Sequence, residues 1–253
     1  MIRTINPATE EILHEYEEFS DRQIEEKIAA ADNAFKDWRK TSFSHRAELM
    51  KKSAAILREK KNEYGRLMAL EMGKPFSQGI GEAEKCAWVC DYYAEKAEEH
   101  LSDMKIKTEF SKSYVSFQPI GAVFAIMPWN FPFWQVFRFA APALMAGNAG
   151  LLKHSSNTMG CALKIEEIFL EAGFPEGLFG TLVISSRPAA KVIEHPLLKA
   201  VTLTGSTPVG KKVAEKAGSL IKKTVLELGG SDPYVILSDA NIKKAAETCA
   251  AAR

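Results

Sequence analysis

Asn130 has the setting in this chain that best suits catalysis. It belongs to the string Ile126-Met127-Pro128-Trp129-Asn130-Phe131-Pro132, which joins a strand-like apolar run to a helix-like one. Because Pro128 and Pro132 restrict the backbone on both sides, the Asn130 carboxamide is expected on a rigid strand-to-helix turn. A fixed amide N–H can stabilise negative charge that develops on a carbonyl oxygen. A proline-rich turn beneath an apolar cap explains the string equally well.

Two further strand ends carry groups suited to a phosphate-bearing ligand. Lys153 follows the apolar run 149–152, so its ammonium could bind a ribose hydroxyl or a phosphate, and an ordinary surface lysine is the alternative. Gly205 and Ser206 follow another apolar run, and Pro208 suits the first turn of a helix. The N–H groups of such a turn attract a pyrophosphate, although the turn could be only a helix cap. The dinucleotide fingerprint G-x-G-x-x-G is absent.

Glu227 and Arg138 are the charged candidates. Glu227 ends an apolar run and precedes the Gly229-Gly230 pair, which would let a ligand come close. Apolar surroundings raise the proton affinity of a carboxylate, as a general base near neutrality requires, and an exposed strand-end glutamate is the alternative. Arg138 lies in the apolar run after the Asn130 turn and needs an acidic partner, a solvent-lined cavity or the surface. A substrate carboxylate and a structural salt bridge are both open for it.

The first hundred residues have helical spacing of apolar positions. Ser20 with Gln23 forms a capping box, Ser44 is expected to cap a second helix, and Gly73-Lys74-Pro75 ends a third. A long helix is expected from about 77 to 100. We therefore predict a helical part over 1–104.

A β-ribbon is predicted over about 105–120, and strands then alternate with helices. Strands are expected at 122–127, 149–153, 180–184, 200–204, 223–227 and 234–237. Helices are expected at 133–146, 158–172, 187–194, 208–218 and 240–252. This alternation is typical of parallel βαβ units, so residues 121–253 should form a doubly wound α/β sheet. Such sheets bind ligands beyond the carboxyl ends of their strands.

Composition excludes several classes of protein. The 253 residues carry 33 Lys and Arg against 32 Asp and Glu, without a basic stripe for nucleic acid or a membrane surface. The N-terminus has no apolar signal core, and four cysteines do not make a disulfide framework, so a cytoplasmic location is expected. Cys86 and Cys90 could share a metal, but no histidine pair accompanies them, and we predict packing residues and no metal.

Taken together, four strings resemble the aldehyde dehydrogenase superfamily: Pro128–Pro132, Lys153 at its strand end, Thr204-Gly205-Ser206 and Leu226–Gly230. The runs Met127–Arg138 and Gly147–His154 look most like its succinate-semialdehyde dehydrogenase branch. The resemblance extends from Asn6 to Arg253 but spans only about the first half of a family polypeptide. It implies a Rossmann-like NAD(P)-binding domain, with the β-ribbon in the oligomerisation region and a homo-oligomer for the complete enzyme.

The resemblance also implies roles for individual residues. Asn130 would donate to the oxyanion of the thiohemiacetal, and Glu227 would activate the water that hydrolyses the thioester. Arg138 matches a position that helps to bind the substrate carboxylate. These groups and Lys153 should surround one docked dinucleotide. The expected cofactor-binding residues are Met127, Pro128, Trp129, Lys153, Ser156, Gly205, Ser206 and Leu228.

Two departures from the family pattern matter. Many NAD-using members have a glutamate at the position of Ser156, so we expect that NADP is accepted and that NADP or NAD is the cofactor. The nucleophilic cysteine in a Gly-Gln-x-Cys setting is absent, so the chain alone is expected not to oxidise aldehydes. A non-catalytic subunit or fragment with a binding or assembly role is the alternative. An acyl-CoA-forming relative fits less well, because Glu227 serves hydrolysis.

Overall fold

The computed structural model describes residues 1–252. The chain begins with an antiparallel hairpin of β1 (Ile2–Ile5) and β2 (Ile12–Tyr16). Its turn includes Glu10, which has a φ of 60°. The sequence analysis did not predict this hairpin, because helical spacing was read across the whole N-terminal region.

Four helices follow: α1 (Asp21–Trp38), α2 (Phe43–Glu59), α3 (Lys61–Met72) and α4 (Phe76–His100). The predicted capping box at Ser20 and Gln23 is present. The second helix begins two residues earlier than expected, because its N-cap is Ser42 and not Ser44, and Ser42 accepts the N–H of His45. The short ribbon pairs β3 (Met104–Lys105) with β4 (Tyr114–Val115), within the predicted 105–120 region apart from Met104.

Strands and helices then alternate as predicted. The strands are β5 (Ala122–Met127), β6 (Ala149–His154), β7 (Phe179–Thr181), β8 (Leu198–Thr204) and β9 (Lys223–Glu227). The helices are α5 (Trp134–Met145), α6 (Met159–Glu171), α7 (Ala189–Glu194), α8 (Thr207–Ser219) and α9 (Ile242–Ala251), with a 3₁₀ turn at Ser156–Thr158. All five strands are parallel, in the order β7-β6-β5-β8-β9. The predicted α/β doubly wound sheet is confirmed.

The strand order reverses at β5, whose neighbours β6 and β8 lead to opposite edges. Parallel strands end at the same edge of a sheet, so the loops after β5, β6, β8 and β9 lie along one edge. The crevice at such a reversal is where open α/β sheets bind ligands. This topology therefore gathers the sequence segments around Asn130, Lys153, Ser206 and Glu227 at one side of the molecule.

The strand predicted at 234–237 is not formed. Val235 and Leu237 are 78% and 67% exposed, and nothing in the described part of the chain pairs with this segment. Apolar, β-branched residues favour a strand only where another strand satisfies their backbone groups.

One core joins the helical region to the sheet. Phe137 packs against Phe169, and Trp38 of α1 donates its indole N–H to the Leu144 carbonyl of α5 at 2.9 Å. Arg46 is buried and donates to carbonyls at the ends of α1 and α5, among them those of Trp38 and Met145. Within the described residues, no helix has the length and apolar character needed to cross a bilayer.

Candidate active site

The loop after β5 carries the predicted catalytic turn. Met127 is buried at the end of the strand, and Pro128 is partly buried, whereas Trp129 and Asn130 are exposed. The turn is anchored just beyond Asn130, because His154 contacts the Pro132 carbonyl at 2.9 Å. The loop is therefore fixed, and the exposed carboxamide of Asn130 is accessible to a ligand.

His154 is a neutral structural link between two site loops. Its Nδ1 accepts the N–H of Ser155 at 2.8 Å, so Nε2 carries the proton and donates to Pro132. Burial lowers the pKa of His154 to about 4, since an imidazolium here would lose its hydration. The sequence analysis gave this residue no role.

Lys153 is a buried cation, and its ammonium has no partner among residues 1–252. Its residue is 7% exposed, and burial lowers the pKa of its ammonium. Across residues 1–252, no carboxylate or hydroxyl contacts this ammonium. A buried unpaired cation is costly, so this position suits an anionic or hydroxylated ligand. Ser156 lies three residues later, partly buried at the start of the 3₁₀ turn.

Buried carboxylates already occupy the N-termini of two helices at this edge. Glu82 of α4 accepts the N–H groups of Phe133 and Trp134 at the start of α5, both at 2.9 Å. Glu71 of α3 accepts those of Gly160 and Cys161 in the first turn of α6, at 2.8 and 2.9 Å. These two termini cannot also bind a phosphate without displacing a protein carboxylate.

The N-terminus of α8 differs from the other two. Ser206 is its N-cap without a side-chain cap bond, and Pro208 lies in its first turn, as predicted. No carboxylate of the described residues accepts an N–H of this turn, so it suits a pyrophosphate. Gly205 is held by its N–H bond to the Glu227 carbonyl at 2.9 Å. Leu228 packs against Gly210 of α8, so a side chain at position 210 would require the Leu228 side chain to move.

Arg138 and Glu227 meet as an ion pair. The Nη2 of Arg138 contacts the Glu227 carboxylate and donates to Gln135 Oε1 at 2.6 Å and Thr204 Oγ1 at 3.3 Å. The salt-bridge alternative for Arg138 is therefore present. The apolar surroundings expected for Glu227 are not, because its side chain is 48% exposed beside the guanidinium.

A groove of about 420 Å³ lies between α5 and the sheet surface of β8 and β9. Its lining includes Met127, Arg138, Thr204 and Glu227. Asn130 and Lys153 are not among its lining residues, so the groove is not the single cavity expected to join Asn130, Lys153 and Glu227. The groove is open where β9 forms the edge of the sheet, since Val225 is 64% exposed there.

All four cysteines lie on helices, and three of them have inaccessible thiols. Cys86, Cys90 and Cys161 are fully buried, and burial raises the pKa of each thiol. Cys249 is partly buried on α9. Cys86 and Cys90 are packing residues as predicted, and the described residues contain no cluster of metal-ligating side chains.

Sequence reasoning missed Glu82 and Lys74, which form a buried ion pair beside the Asn130 turn. One signal existed: Glu82 lies in the apolar stripe of α4, three residues after Gly79 and four before Cys86. An acidic residue at a buried helical position indicates a paired or capping carboxylate. No comparable pattern marked Lys74, which lies in a loop.

Known proteins resemble this chain over its whole length. A protein of Synechocystis sp. named "Probable succinate-semialdehyde dehydrogenase [NADP(+)]" is 50% identical over 252 residues, covering 100% of this chain and 56% of its own length. The Mycobacterium tuberculosis "Succinate-semialdehyde dehydrogenase [NADP(+)] 1" is 45% identical over 255 residues, with coverages of 100% and 56%. The chain thus spans about half the length of the curated relatives it matches.

A solved structure gives the same result for the fold. Succinic semialdehyde dehydrogenase of Streptococcus pyogenes in complex with NADP+ matches with a TM-score of 0.94 and 37% identity, over 98% of this chain and 55% of that one. The family model described as "Aldehyde dehydrogenase family" matches residues 1–253. The chain therefore belongs to the aldehyde dehydrogenase family.

Proposed function

We propose that this chain is the cofactor-binding half of an NADP-using aldehyde dehydrogenase that oxidises succinate semialdehyde to succinate. The observation that carries the proposal is the shared sheet edge, where strands lead to an exposed carboxamide, a buried unpartnered ammonium and a carboxylate. These belong to Asn130, Lys153 and Glu227. The names of the relatives and their identity to this chain support the choice of reaction.

The cofactor proposal depends on two groups that lack protein partners among the described residues. The Lys153 ammonium would bind the adenosine ribose or its 2′-phosphate, and the first turn of α8, at Ser206, would bind the pyrophosphate. Ser156 brings no negative charge toward a 2′-phosphate, which favours NADP over NAD. Met127, Pro128, Trp129, Gly205 and Leu228 would complete the cleft. When bound, the nicotinamide accepts the hydride.

Arg138 would bind the carboxylate of the substrate. All its observed polar contacts involve Nη2, so in the described structure Nη1 and Nε have no partner. A guanidinium has five N–H donors, and it can hold Glu227 on one side and a substrate carboxylate on the other. Because Arg138 also pairs with Glu227, a substrate bound to Arg138 would lie close to the proposed general base.

The remaining chemistry divides between two side chains. Asn130 would donate its amide N–H to the aldehyde oxygen as negative charge develops there. Glu227 would take a proton from the water that cleaves the acyl-enzyme. The nucleophilic cysteine that this reaction needs is absent from the 253 residues in its Gly-Gln-x-Cys setting. These residues alone should therefore bind the cofactor without oxidising an aldehyde.

One observation favours a second candidate, a non-catalytic binding or assembly subunit. Three thiols are fully buried, and the fourth, Cys249, belongs to a helix outside the sheet. A chain that acts by itself would therefore lack a nucleophile. In that case Asn130 and Glu227 would have no reaction to serve.

Cofactor titration and turnover together test the proposal. The 253-residue chain should bind NADP, and Lys153→Met should weaken binding by about 10-fold or more, since a charge-assisted contact is lost. Lys51→Met, on the exposed face of α2, is the matched control and should bind as the wild type does. A polypeptide extended through the missing cysteine should reduce NADP with succinate semialdehyde. Cofactor binding without turnover in the extended polypeptide would favour a non-catalytic binding subunit, and absence of binding would refute the proposed function and leave only an assembly role.

A further inference from the structure

We propose that Lys74 and Glu82 are positioning residues that hold the Asn130 turn in its active arrangement. This inference rests on the proposed function, because Asn130 is taken as the donor to the aldehyde oxygen. Neither residue would touch the substrate. They would act through the backbone and the aromatic ring that flank Asn130.

The carboxylate of Glu82 connects two parts of the molecule. One oxygen, Oε1, accepts the N–H groups of Phe133 and Trp134, three and four residues after Asn130. The other, Oε2, pairs with the ammonium of Lys74. Both oxygens are therefore used, and the side chain has no freedom to leave the turn.

Lys74 contacts the same turn through the ring of Phe131. It lies between α3 and α4, next to the left-handed Gly73 that ends α3. Its ammonium is 3.8 Å from the ring centre of Phe131, the residue directly after Asn130. A cation over an aromatic face is attracted to it, most strongly where water is excluded. The ion pair thus fixes residue 131 and residues 133 and 134 together.

Because both groups are buried, the ion pair contributes little net free energy to folding. The side chains of Lys74 and Glu82 are only 5% and 2% exposed. Desolvation offsets most of the attraction in a buried pair, and apolar residues of similar volume often stabilise a fold as well. What an ion pair adds is fixed geometry, here for a turn that would need a carboxamide in one orientation.

The chain contains a natural control pair. Lys27 and Glu166 also form an ion pair, at 2.8 Å, and Glu166 accepts the N–H of Thr181 at 2.6 Å. This pair joins α1, α6 and β7 and makes no contact with the Asn130 turn. Substitutions there remove a similar ion pair and a similar carboxylate contact to a backbone N–H, without touching residues 131–134.

Amide hydrogen exchange in this chain tests whether Lys74 and Glu82 hold the turn. Glu82→Gln and Lys74→Met should each raise the exchange rate of the Phe133 and Trp134 amides by about 10-fold or more. Lys74→Arg should restore most of the protection, and Glu166→Gln should leave these amides within about 2-fold of the wild type. The neutral double variant Lys74→Met/Glu82→Gln replaces any single variant that fails to fold. Unchanged exchange at both amides would overturn the proposal.

Kinetics of the complete enzyme test whether holding the turn matters for catalysis. Glu82→Gln should lower kcat by about 10-fold or more, with KM for NADP within about 2-fold. In an Asn130→Ala background, the same substitution should have no further effect, because the two residues would act through one contact. An additive loss, or a normal kcat despite fast exchange, would refute positioning. If the wild-type enzyme oxidises no aldehyde, the proposed function fails, and the exchange rates still decide whether the pair holds the turn.

Discussion

The guanidinium of Arg138, on the first helix after the Asn130 turn, contacts the carboxylate of Glu227 at the end of β9. Thr204 stands opposite Glu227 in the strand register and also accepts from Arg138, at 3.3 Å. The contact therefore joins α5, β8 and β9 at the carboxyl edge of the sheet. It places a cation suited to a substrate carboxylate beside the proposed base.

Removing the guanidinium should affect a charged aldehyde more than a neutral one. In the complete enzyme, Arg138→Ala should raise KM for succinate semialdehyde by about 10-fold to 100-fold, because a charge-assisted contact is lost. Oxidation of an uncharged aldehyde, such as butanal, should change much less. Steady-state kinetics with both aldehydes measures the difference, and any effect through Glu227 is common to both substrates.

The control for this experiment is Arg66→Ala, which removes an exposed arginine from α3. It should leave both aldehydes unaffected. Equal losses for the two aldehydes in Arg138→Ala would remove Arg138 from substrate recognition and leave it as a structural partner of Glu227.

Neutralising Glu227 should separate hydride transfer from hydrolysis. Glu227→Gln keeps the shape of the side chain but cannot take a proton from water, so steady-state turnover should fall by about 10²-fold to 10⁴-fold. The first turnover should still produce one equivalent of NADPH per active site, seen as a rapid burst. Rapid-mixing absorbance measurements distinguish the two phases. A variant that loses the burst together with the steady state would not support a role limited to hydrolysis.

Ser156, at the start of the 3₁₀ turn that follows β6, should control cofactor choice. Ser156→Glu would put a carboxylate near the proposed 2′-phosphate site, so the dissociation constant for NADP should rise by about 10-fold or more. The constant for NAD should stay the same or fall, since its ribose hydroxyls can donate to a carboxylate. Calorimetric titration of both cofactors measures this. Ser111→Glu, in the exposed β3–β4 loop, is the control, and a wild-type preference for NAD would contradict the proposal.

Much of the sheet could be predicted because short segments rich in apolar residues alternate with helix-like segments. β5 matches its predicted range of 122–127, and β9 its range of 223–227. Segment 234–237 has the same composition without a pairing strand among the described residues, so composition alone gave the wrong result there. The β1–β2 hairpin was missed because its strands are short and its signal is a turn rather than periodicity.

The sequence predicted which residues lie at the strand ends of the site but not which of them contact each other. Asn130, Lys153 and Glu227 were found because polar residues that follow apolar runs are visible in a sequence. The contact between Arg138 and Glu227 depends on β9 lying beside β8, and strand order is not encoded in local patterns. Glu82 was missed for a similar reason, since its partners at the start of α5 are distant in the chain.

His154 should make the stability of the fold depend on pH. Its folded pKa of about 4 lies below the ordinary value of 6.5, so between these values the unfolded chain binds a proton that the folded chain does not. Stability from this residue is therefore complete above about pH 7 and is lost as pH falls, by about 3 kcal/mol in total. Urea unfolding at a series of pH values measures the free energy of unfolding.

The matched variant is His154→Gln, whose amide N–H can still donate to the Pro132 carbonyl but does not titrate. The free energy of unfolding of this variant should change less between pH 7 and pH 4, by about 3 kcal/mol, than that of the wild type. Burial raises the pKa of Glu71, so its contribution to the stability increases as pH falls. This contribution is the same in wild type and variant and cancels in the comparison. His100→Gln, at the exposed end of α4, controls for loss of a histidine. Parallel pH profiles for wild type and His154→Gln would mean that the imidazole is protonated in place, and its assignment as a neutral link to Pro132 would be wrong.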